Sequence, residues 1–428
     1  MPPMPIMRMR MSVSGSNGSV NNRFEIQEMK ILLVEDNPGD ARLLEEELKG
    51  NSDGHFELTW AEDLKAALKL LSDRKETAGV NPAENPFDAV LLDLNLPDSQ
   101  GLETFHTMHQ QAPWLPVVLL TGLEDEATGL RAVQEGAQDY LVKGQTSGSA
   151  VARSLRYAVE RNRSLQWHRN KSRHAAGGRV VSVLGVKGGV GTTTVALNTA
   201  AVLAQDKLVI AAELRPDFGS FSSHFRSLSG PNLAELYRMS TEELAESQIE
   251  QRLINSNLGF YLLFGPQSIG DFSEVSGAQA DRMVSLLTNM ADFIVLDMPT
   301  SHGPAQEAVM RRSNAVLLVS ERDDSSIMAA KMTISQLAKW GIGNDSISLA
   351  IVSKFPLPDG LPPEKIEDLL GVRVLGIVPP APDVCSAAQK ASTPLVLHRP
   401  RSAPASILTS IAQRTAAVAV GSPIVQVS

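Results

Sequence analysis

Short apolar runs recur along this chain and alternate with segments of helical periodicity. Between residue 30 and about residue 158 these runs lie in the segments KILLVE, DAVLLD, PVVLLT and DYLVK, and amphipathic segments such as 41–49 separate them. Short continuous apolar runs are typical of strands that are buried on both faces. Their alternation with helices predicts a parallel sheet covered by helices on both sides.

A second series of the same kind begins at Arg179. Its strand candidates are VVSVLG, LVIAAE, FYLLFG, FIVLDM, AVLLVS, ISLAIV and VLGIVP. The pattern therefore predicts an α/β protein with two doubly wound parallel-sheet domains. The predicted organisation is a disordered tail over 1–28, a first domain over 29–160, a basic linker over 161–178 and a second domain over 179–428.

Two local expectations concern the ends of these domains. A helix is predicted from about Val151 to Gln166, followed by polar residues and Gly177 and Gly178, which mark a linker. The segment 402–428 contains one possible helix and little positive charge. We expect it to dock on the second domain rather than on a membrane.

The composition excludes several classes of protein. With 43% hydrophobic and 20% charged residues among 428, the chain has the profile of a globular protein. A single cysteine, Cys385, forms no internal disulfide or cysteine metal cluster and fits a reducing compartment. No apolar run reaches the roughly 18 residues of a membrane-spanning helix, and no signal peptide is evident. We therefore expect a cytoplasmic protein without a transmembrane segment.

Charge is distributed unevenly along the chain. Residues 29–150 contain 9 Lys and Arg against 22 Asp and Glu, whereas residues 153–173 contain seven Lys and Arg against one acidic residue. The basic stretch could contact nucleic acid or anionic lipid. A solvated linker helix is the favoured interpretation, so nucleic acid binding is possible but not favoured.

Acidic and hydroxyl side chains follow the predicted strands of the first domain. Glu35 and Asp36 come after KILLV, Asp93 ends DAVLLD, Thr121 ends PVVLLT and Lys143 ends DYLVK. Because the carboxyl ends of parallel strands meet at one edge, we expect these side chains to converge. Clustered carboxylates repel one another unless a cation holds them, and oxygen ligands favour Mg²⁺. Such a site suits phosphoryl transfer to a carboxylate.

The segments ILLVEDNPGD, DAVLLDLNLPDSQGLE, LLTG and GAQDYLVKG resemble the receiver domain of bacterial response regulators, which has a flavodoxin-like fold. The resemblance implies that Asp93 is the phosphoacceptor, that Thr121 binds the phosphoryl group and that Lys143 pairs with it. Tyr140 stands where receivers carry the aromatic residue that reorients on activation. Gly144 departs from the pattern, because many receivers have proline there.

The same resemblance implies a magnesium site and a partner. Glu35, Asp36 and Asp93 would hold Mg²⁺ together with the main-chain carbonyl of Asn95. The phosphoryl donor would be a histidine kinase or a phosphotransfer protein. The alternative is that these acidic residues only cap strands and solvate an edge.

The second domain opens with a glycine-rich segment, VSVLGVKGGVGTTTVALNTA. Glycines before a helix allow backbone N–H groups to surround phosphate. The usual phosphate loop reads GxxxxGK[ST], but here Thr192 stands in the lysine position and Val186 in that of the first glycine. A structural glycine turn is the alternative. The predicted nucleotide-binding residues are Lys187, Gly188, Gly189, Val190, Gly191, Thr192, Thr193 and Thr194, with Thr193 also placed to bind Mg²⁺.

This segment resembles the ParA/MinD branch of P-loop ATPases, whose loop reads KGGVGKTT. By that resemblance Lys187 is the signature lysine that reaches the nucleotide of a partner subunit, and Asp297 in FIVLDMP lies near the metal. Besides Thr192 in the loop, three further positions depart from the branch. In LVIAAELRPDFGSF, Glu213 and Arg215 replace two aspartates, the second of which positions water, and Ser353 replaces an asparagine that reads adenine.

The retained glycines, Lys187, Thr193 and Asp297 predict binding of ATP and Mg²⁺. The departures predict weak or absent hydrolysis, since each lost group typically costs about a hundredfold to a thousandfold in rate. A receiver followed by such a domain resembles the TadZ/CpaE family, which localises the machinery for Flp (type IVb) pili, often at a cell pole. The resemblance implies a homodimeric scaffold with pilus-assembly proteins as partners. Two alternatives are an active partition ATPase that binds DNA or membrane and a response regulator that controls genes.

Overall fold

A computed structural model of the chain describes residues 28–49, 55–77, 87–122, 126–171, 177–225, 231–355 and 360–422. The predicted disordered tail lies outside this range except for its last residue. Within the described residues, no helix combines the length and apolarity needed to cross a membrane.

The first sheet has five parallel strands in the order β2-β1-β3-β6-β7, and β4 and β5 form a separate antiparallel ribbon. This is the flavodoxin-like order when the ribbon is set aside. The strands are β1 Glu28–Val34, β2 His55–Ala61, β3 Ala89–Asp93, β4 Asn95–Leu96, β5 Ser99–Gln100, β6 Val117–Thr121 and β7 Asp139–Val142. The helices are α1 Pro38–Lys49, α2 Leu64–Thr77, α3 Leu102–Gln111, α4 Glu126–Gln134 and α5 Gly148–Lys171.

Helices cover both faces of this sheet, which explains why its strands read as continuous apolar runs. Alternate residues of β1 belong to different cores. Leu32 and Val34 pack with α2 and α3 residues such as Phe105. Ile31 and Leu33 pack with α1 and α5 residues such as Leu155. The predicted doubly wound arrangement is therefore confirmed for this domain.

The second sheet has eight strands in the order β10-β11-β9-β12-β8-β13-β14-β15, all parallel except the edge strand β10. The strands are β8 Arg179–Gly185, β9 Val209–Ala212, β10 Ile254–Asn255, β11 Tyr261–Leu263, β12 Phe293–Met298, β13 Ala315–Ser320, β14 Ile347–Val352 and β15 Arg373–Val378. The helices are α6 Thr192–Leu203, α7 Phe221–His224, α8 Ala234–Tyr237, α9 Glu246–Glu250, α10 Gly277–Thr288, α11 Pro304–Arg312, α12 Asp324–Lys339, α13 Pro363–Leu370, α14 Pro382–Lys390, α15 Leu395–His398 and α16 Ala403–Ala419.

Helix α5 does not end near Gln166 as the sequence predicted but continues to Lys171. The first part of the predicted linker 161–178 is therefore helical. Trp167 explains the extension, because it is only 5% exposed and packs edge-on against Tyr261, with 4.8 Å between ring centroids. This tryptophan of the basic segment thus anchors α5 on the core of the second sheet.

The C-terminal helix α16 packs against α6 and β15, as the sequence predicted. Leu408 and Ile411 are buried in the core of the second sheet. The contact with β15 is close because Gly376 lacks a side chain: a Cβ there would lie 3.0 Å from Ile411 Cγ1. Residues 423–428 lie outside the described range.

Candidate functional site

Three carboxylates meet at the carboxyl edge of the first sheet. Glu35 follows β1 directly and is fully buried, Asp93 ends β3 and is 4% exposed, and Asp36 is exposed. Their oxygen atoms lie within 4.8 Å of one another, a spacing that fits one divalent cation. The structure thus brings together the three side chains predicted to hold Mg²⁺, while their role as ligands stays a prediction.

Lys143 reaches this cluster from the end of β7. Its Nζ lies 2.5 Å from Asp93 Oδ2 and 2.7 Å from Glu35 Oε2. Burial raises the pKa of Glu35, and the nearby ammonium only partly offsets that effect. Burial acts to lower the pKa of Lys143, but its bonds to Asp93 and Glu35 outweigh burial and raise it. The lysine is therefore held as a cation between two carboxylates that are buried side by side.

Backbone groups fix the orientation of the two buried carboxylates. The N–H of Asn95 donates to Asp93 Oδ1 at 3.0 Å, and the N–H of Asn37 donates to Glu35 Oε1 at 3.2 Å. Trp60 Nε1 donates to the main-chain oxygen of Glu35 at 2.7 Å. Asn95 thus sits beside Asp93, where the resemblance placed its carbonyl as a metal ligand.

Gly129, which was not predicted from the sequence, packs against both Thr121 and Tyr140. Thr121 is fully buried, and its hydroxyl donates weakly to Leu141 O at 3.4 Å. A Cβ on Gly129 would lie 2.9 Å from the Tyr140 ring and 3.2 Å from Thr121 Cγ2. Gly129 therefore lets α4 lie directly on both side chains. An isolated glycine inside a helical pattern was the available signal.

We expect Lys143→Gln to strengthen Mg²⁺ binding about tenfold, because the ammonium competes with the metal for oxygens of Glu35 and Asp93 and repels a second cation. Isothermal titration of the full chain with MgCl₂ would measure the change. Lys69→Ala, which removes an exposed lysine from α2, is the matched control. Unchanged or weaker Mg²⁺ binding by Lys143→Gln would contradict a metal site at these carboxylates.

The glycine loop of the second domain joins β8 to α6. Gly189 and Gly191 have φ values of 78° and 97°, in the left-handed region that favours glycine. Val190 is buried beneath the loop, Thr194 O accepts from Asn198 Nδ2 at 2.8 Å, and Gly188 has open space beside its Cα. The loop therefore has the backbone shape predicted for a phosphate cradle at the N-terminus of a helix.

Thr193 and Asp297 form a polar pair beneath this loop. Thr193 Oγ1 donates to Asp297 Oδ2 at 2.6 Å and contacts Ser220 Oγ at 2.8 Å. Burial raises the pKa of Asp297, against the lowering effects of its bond to Thr193 and the charges of Arg215 and His224. Among the described residues Asp297 Oδ1 has no hydrogen-bond partner. A buried carboxylate oxygen left open beside a threonine hydroxyl fits the predicted Mg²⁺ site.

Glu213 has a structural role that the sequence did not reveal. Its Oε1 accepts from the N–H groups of Ser220 and Phe221, the latter at 2.9 Å, and its Oε2 accepts from Gly265 N at 3.1 Å. Burial and the charge of Asp297 raise its pKa. Glu213 thereby holds Ser220 in contact with Thr193.

Arg215 lines a cleft beside the ends of β9 and β12, with a volume of about 640 Å³. Its Nη1 donates to Phe218 O at 3.3 Å, and its Nε lies 3.6 Å from Asp217 Oδ1. Loop 186–194 is described throughout, yet none of its residues lines this cleft. Arg215 therefore lines a cleft that the loop does not line, while its charge still acts on Asp297.

Lys187 binds carboxylates of its own chain. Its Nζ lies 3.1 Å from Glu321 Oε2 and 3.2 Å from Asp323 Oδ2. These contacts outweigh the opposing effect of burial and raise the pKa of Lys187. Lys354 Nζ also pairs with Glu321, at 3.2 Å from Oε1. Lys187 was predicted from the sequence, whereas its two carboxylate partners and Lys354 were not.

Comparison with known proteins supports two different relationships. The response regulator receiver domain family matches residues 31–153. The chain is 33% identical over 132 residues to the KDP operon transcriptional regulatory protein KdpE of Escherichia coli K12, covering 31% of this chain and 52% of the relative. It is 26% identical over 258 residues to the C4-dicarboxylate transport transcriptional regulatory protein DctD of Pseudomonas aeruginosa, covering 59% and 53%. The chain spans about half the length of these relatives.

Among solved structures, a ParA family ATPase from Chlorobium tepidum TLS superimposes with a TM-score of 0.51 and 16% identity, covering 56% of this chain and 99% of that chain. At this identity the likeness concerns the fold. The chain therefore combines a response regulator receiver domain, over residues 31–153, with a second α/β domain that has the fold of ParA-family ATPases.

Proposed function

We propose that this chain is a phosphorylation-regulated positioning scaffold, whose receiver accepts a phosphoryl group on Asp93 and whose second domain binds ATP and pairs with a second copy. The proposal rests on a contrast between the two domains. At the first sheet, three carboxylates including Asp93 lie within 4.8 Å of one another, and Lys143 bonds two of them. At the second, the loop has its backbone shape but carries Thr192 in place of lysine.

The receiver chemistry follows from the placement of Asp93. One carboxylate oxygen forms a bond to phosphorus while the bond from phosphorus to the donor, a phosphohistidine or acetyl phosphate, breaks; the donor leaves with the electron pair. Mg²⁺ held by Glu35, Asp36 and Asp93 would offset charge on the transferred group. Lys143 lies 2.5 Å from Asp93 and supplies a second positive charge there. The partner is a histidine kinase or phosphotransfer protein.

Phosphorylation would alter the neighbourhood of Thr121. The new group adds a charge of about −2 and strong acceptor oxygens. Among the described residues, the Thr121 hydroxyl bonds only Leu141 O, at 3.4 Å, so it can turn toward such an acceptor at small cost. Gly129 packs on both Thr121 and Tyr140, which couples that movement to α4. The α4 and β7 face is therefore the surface that carries the signal.

The second domain retains groups for binding but lacks groups for turnover. The loop glycines, Thr193 and Asp297 would hold phosphate and Mg²⁺. Thr192 removes a cation from the loop, and Arg215, in the position of the water-positioning aspartate, lies in the separate cleft. Lys187 must leave Glu321 and Asp323 before it can reach a second copy, so pairing of copies is switchable.

The cellular role that fits this combination is localisation of pilus-assembly machinery in the manner of the TadZ/CpaE family, in the cytoplasm or beside the inner membrane at a cell pole. The order of the domains and the altered loop support this role over plasmid partition.

We expect the purified full chain to form dimers with ATP and Mg²⁺ while releasing phosphate at least about a hundredfold more slowly than a competent ParA, because lysine and aspartate charges are missing from the transition state. Light scattering after size exclusion and a phosphate-release assay would measure both properties. Lys187→Ala should lose the ATP-dependent dimer, and Lys365→Ala, an exposed change on α13, should keep it. Turnover like that of a competent ParA would overturn the scaffold in favour of an active ATPase.

A further inference from the structure

The end of β14 and the chain that follows it lie directly against the glycine loop. A Cβ on Gly191 would lie 3.6 Å from Val352 Cγ1, and a Cβ on Gly189 would lie 3.7 Å from Lys354 Nζ. The N–H of Ser353 donates to Val378 O at 2.9 Å and holds this segment to β15. The ammonium group of Lys354 is therefore placed at the loop by two neighbouring contacts and an anchored backbone.

The charge of Lys354 is balanced by a carboxylate that it shares. Glu321 Oε1 pairs with Lys354 at 3.2 Å, and Glu321 Oε2 pairs with Lys187 at 3.1 Å. The Lys354 side chain is 45% exposed, and its ion pair is therefore easily exchanged. Lys187 of the loop and Lys354 beside it thus share one glutamate, whose side chain is 21% exposed.

We propose that Lys354 binds nucleotide phosphate at the Gly189 side of the loop and replaces the cation that is missing at Thr192. The assignment rests on the proposed nucleotide-binding function. Gly189 places no side chain between the ammonium and the backbone cradle. A lysine on a four-carbon stem can exchange a carboxylate for a phosphate oxygen with little movement, and both partners are anionic.

This placement accounts for affinity without efficient hydrolysis. Lys354 approaches from β14, whereas the water-positioning residue of active relatives would stand at Arg215, beyond β9. The order β9-β12-β8-β13-β14 puts the two on opposite sides of the loop strand β8. A cation supplied from β14 strengthens phosphate binding but orients no water on the β9 side.

Titration of the full chain with ATP, ADP and adenosine in the presence of Mg²⁺ would test the assignment. Lys354→Ala should weaken ATP binding about tenfold, the value of one charge-assisted hydrogen bond, with a smaller loss for ADP and a change of less than about twofold for adenosine. Lys354→Arg should stay close to wild type because it keeps the charge. Lys365→Ala is the matched control, and circular dichroism verifies that each variant is folded.

Several outcomes would overturn it. If Lys354→Ala binds ATP as wild type does, or loses ATP and adenosine equally, then Lys354 does not bind phosphate. An Arg variant that loses as much affinity as the Ala variant would contradict a role for charge. If the wild-type chain binds neither ATP nor ADP, the proposed nucleotide-binding function fails and this assignment falls with it, which separates that result from a failure of Lys354 alone.

Discussion

We expect Asp93→Asn to abolish labelling of the full chain by radioactive acetyl phosphate. The amide keeps the size of the side chain but lacks the nucleophilic carboxylate oxygen, and no other carboxylate in the cluster has the same surroundings. Glu35 is fully buried and bound by Lys143 and Asn37 N, while Asp36 is exposed. The loss should therefore reach the background of the assay, with Mg²⁺ present and with saturating acetyl phosphate.

A matched control separates loss of the nucleophile from loss of one negative charge. Asp206→Asn removes an exposed aspartate of the second domain and should be labelled like wild type. Removing Mg²⁺ with a chelator should reduce labelling of the wild-type chain, since the acidic cluster would then lack its counterion. Labelling that persists in Asp93→Asn would refute Asp93 as the acceptor and redirect the search to Glu35 or Asp36.

Strands buried on both faces were the most predictable part of this fold. The apolar runs at β12, β13 and β14 coincide with the observed bounds because all their residues except the half-buried Val352 are buried. Strand β2 was not predicted, because it is not buried on both faces. Its residues Glu57 and Trp60 are exposed, so the strand lacks a continuous apolar run. A period-two pattern over so short a segment is a weak signal.

The convergence of acidic side chains at the edge of the first sheet was predictable from its topology. The contacts around the glycine loop of the second domain were not. Parallel strands place their carboxyl ends together, and this was enough to expect Glu35, Asp93 and Lys143 in one place. The contact of Lys354 with the loop depends on a side-chain direction after β14, 165 positions along the chain from Gly189. No local pattern encodes such a contact.

The resemblance to ParA/MinD ATPases did not predict the structural role of Glu213. Its position suggested a lost aspartate, but its extra methylene group lets the carboxylate reach the start of α7. There it binds Ser220 and Phe221, and Gly219 makes room for it: a Cβ on Gly219 would collide with Glu213 Oε2. Glutamate at this position thus fits the glycine and serine that follow. The replacement of aspartate by glutamate therefore creates a structural contact and does not only remove a functional group.

Glu213→Ala should lower the free energy of unfolding by about 3 kcal/mol, because it leaves three buried backbone N–H groups without their acceptor. These are the N–H groups of Ser220, Phe221 and Gly265. Urea unfolding of the full chain, followed by circular dichroism, would measure the loss. Glu242→Ala, an exposed change, should stay within about 0.5 kcal/mol of wild type.

The loss of unfolding free energy in Glu213→Ala should also depend on pH, and its direction follows from the pKa of Glu213. Burial raises the pKa of Glu213 in the folded chain above its unfolded value, so the folded state holds the proton more tightly. Wild-type stability from this group is therefore greatest below the unfolded pKa and falls as pH rises toward the folded pKa. An alanine does not titrate, and the difference between wild type and Glu213→Ala should shrink from pH 5 to pH 8. A difference that grows over this interval would mean that the carboxylate is stabilised as an anion, and the hydrogen bonds from Ser220, Phe221 and Gly265 would then outweigh burial.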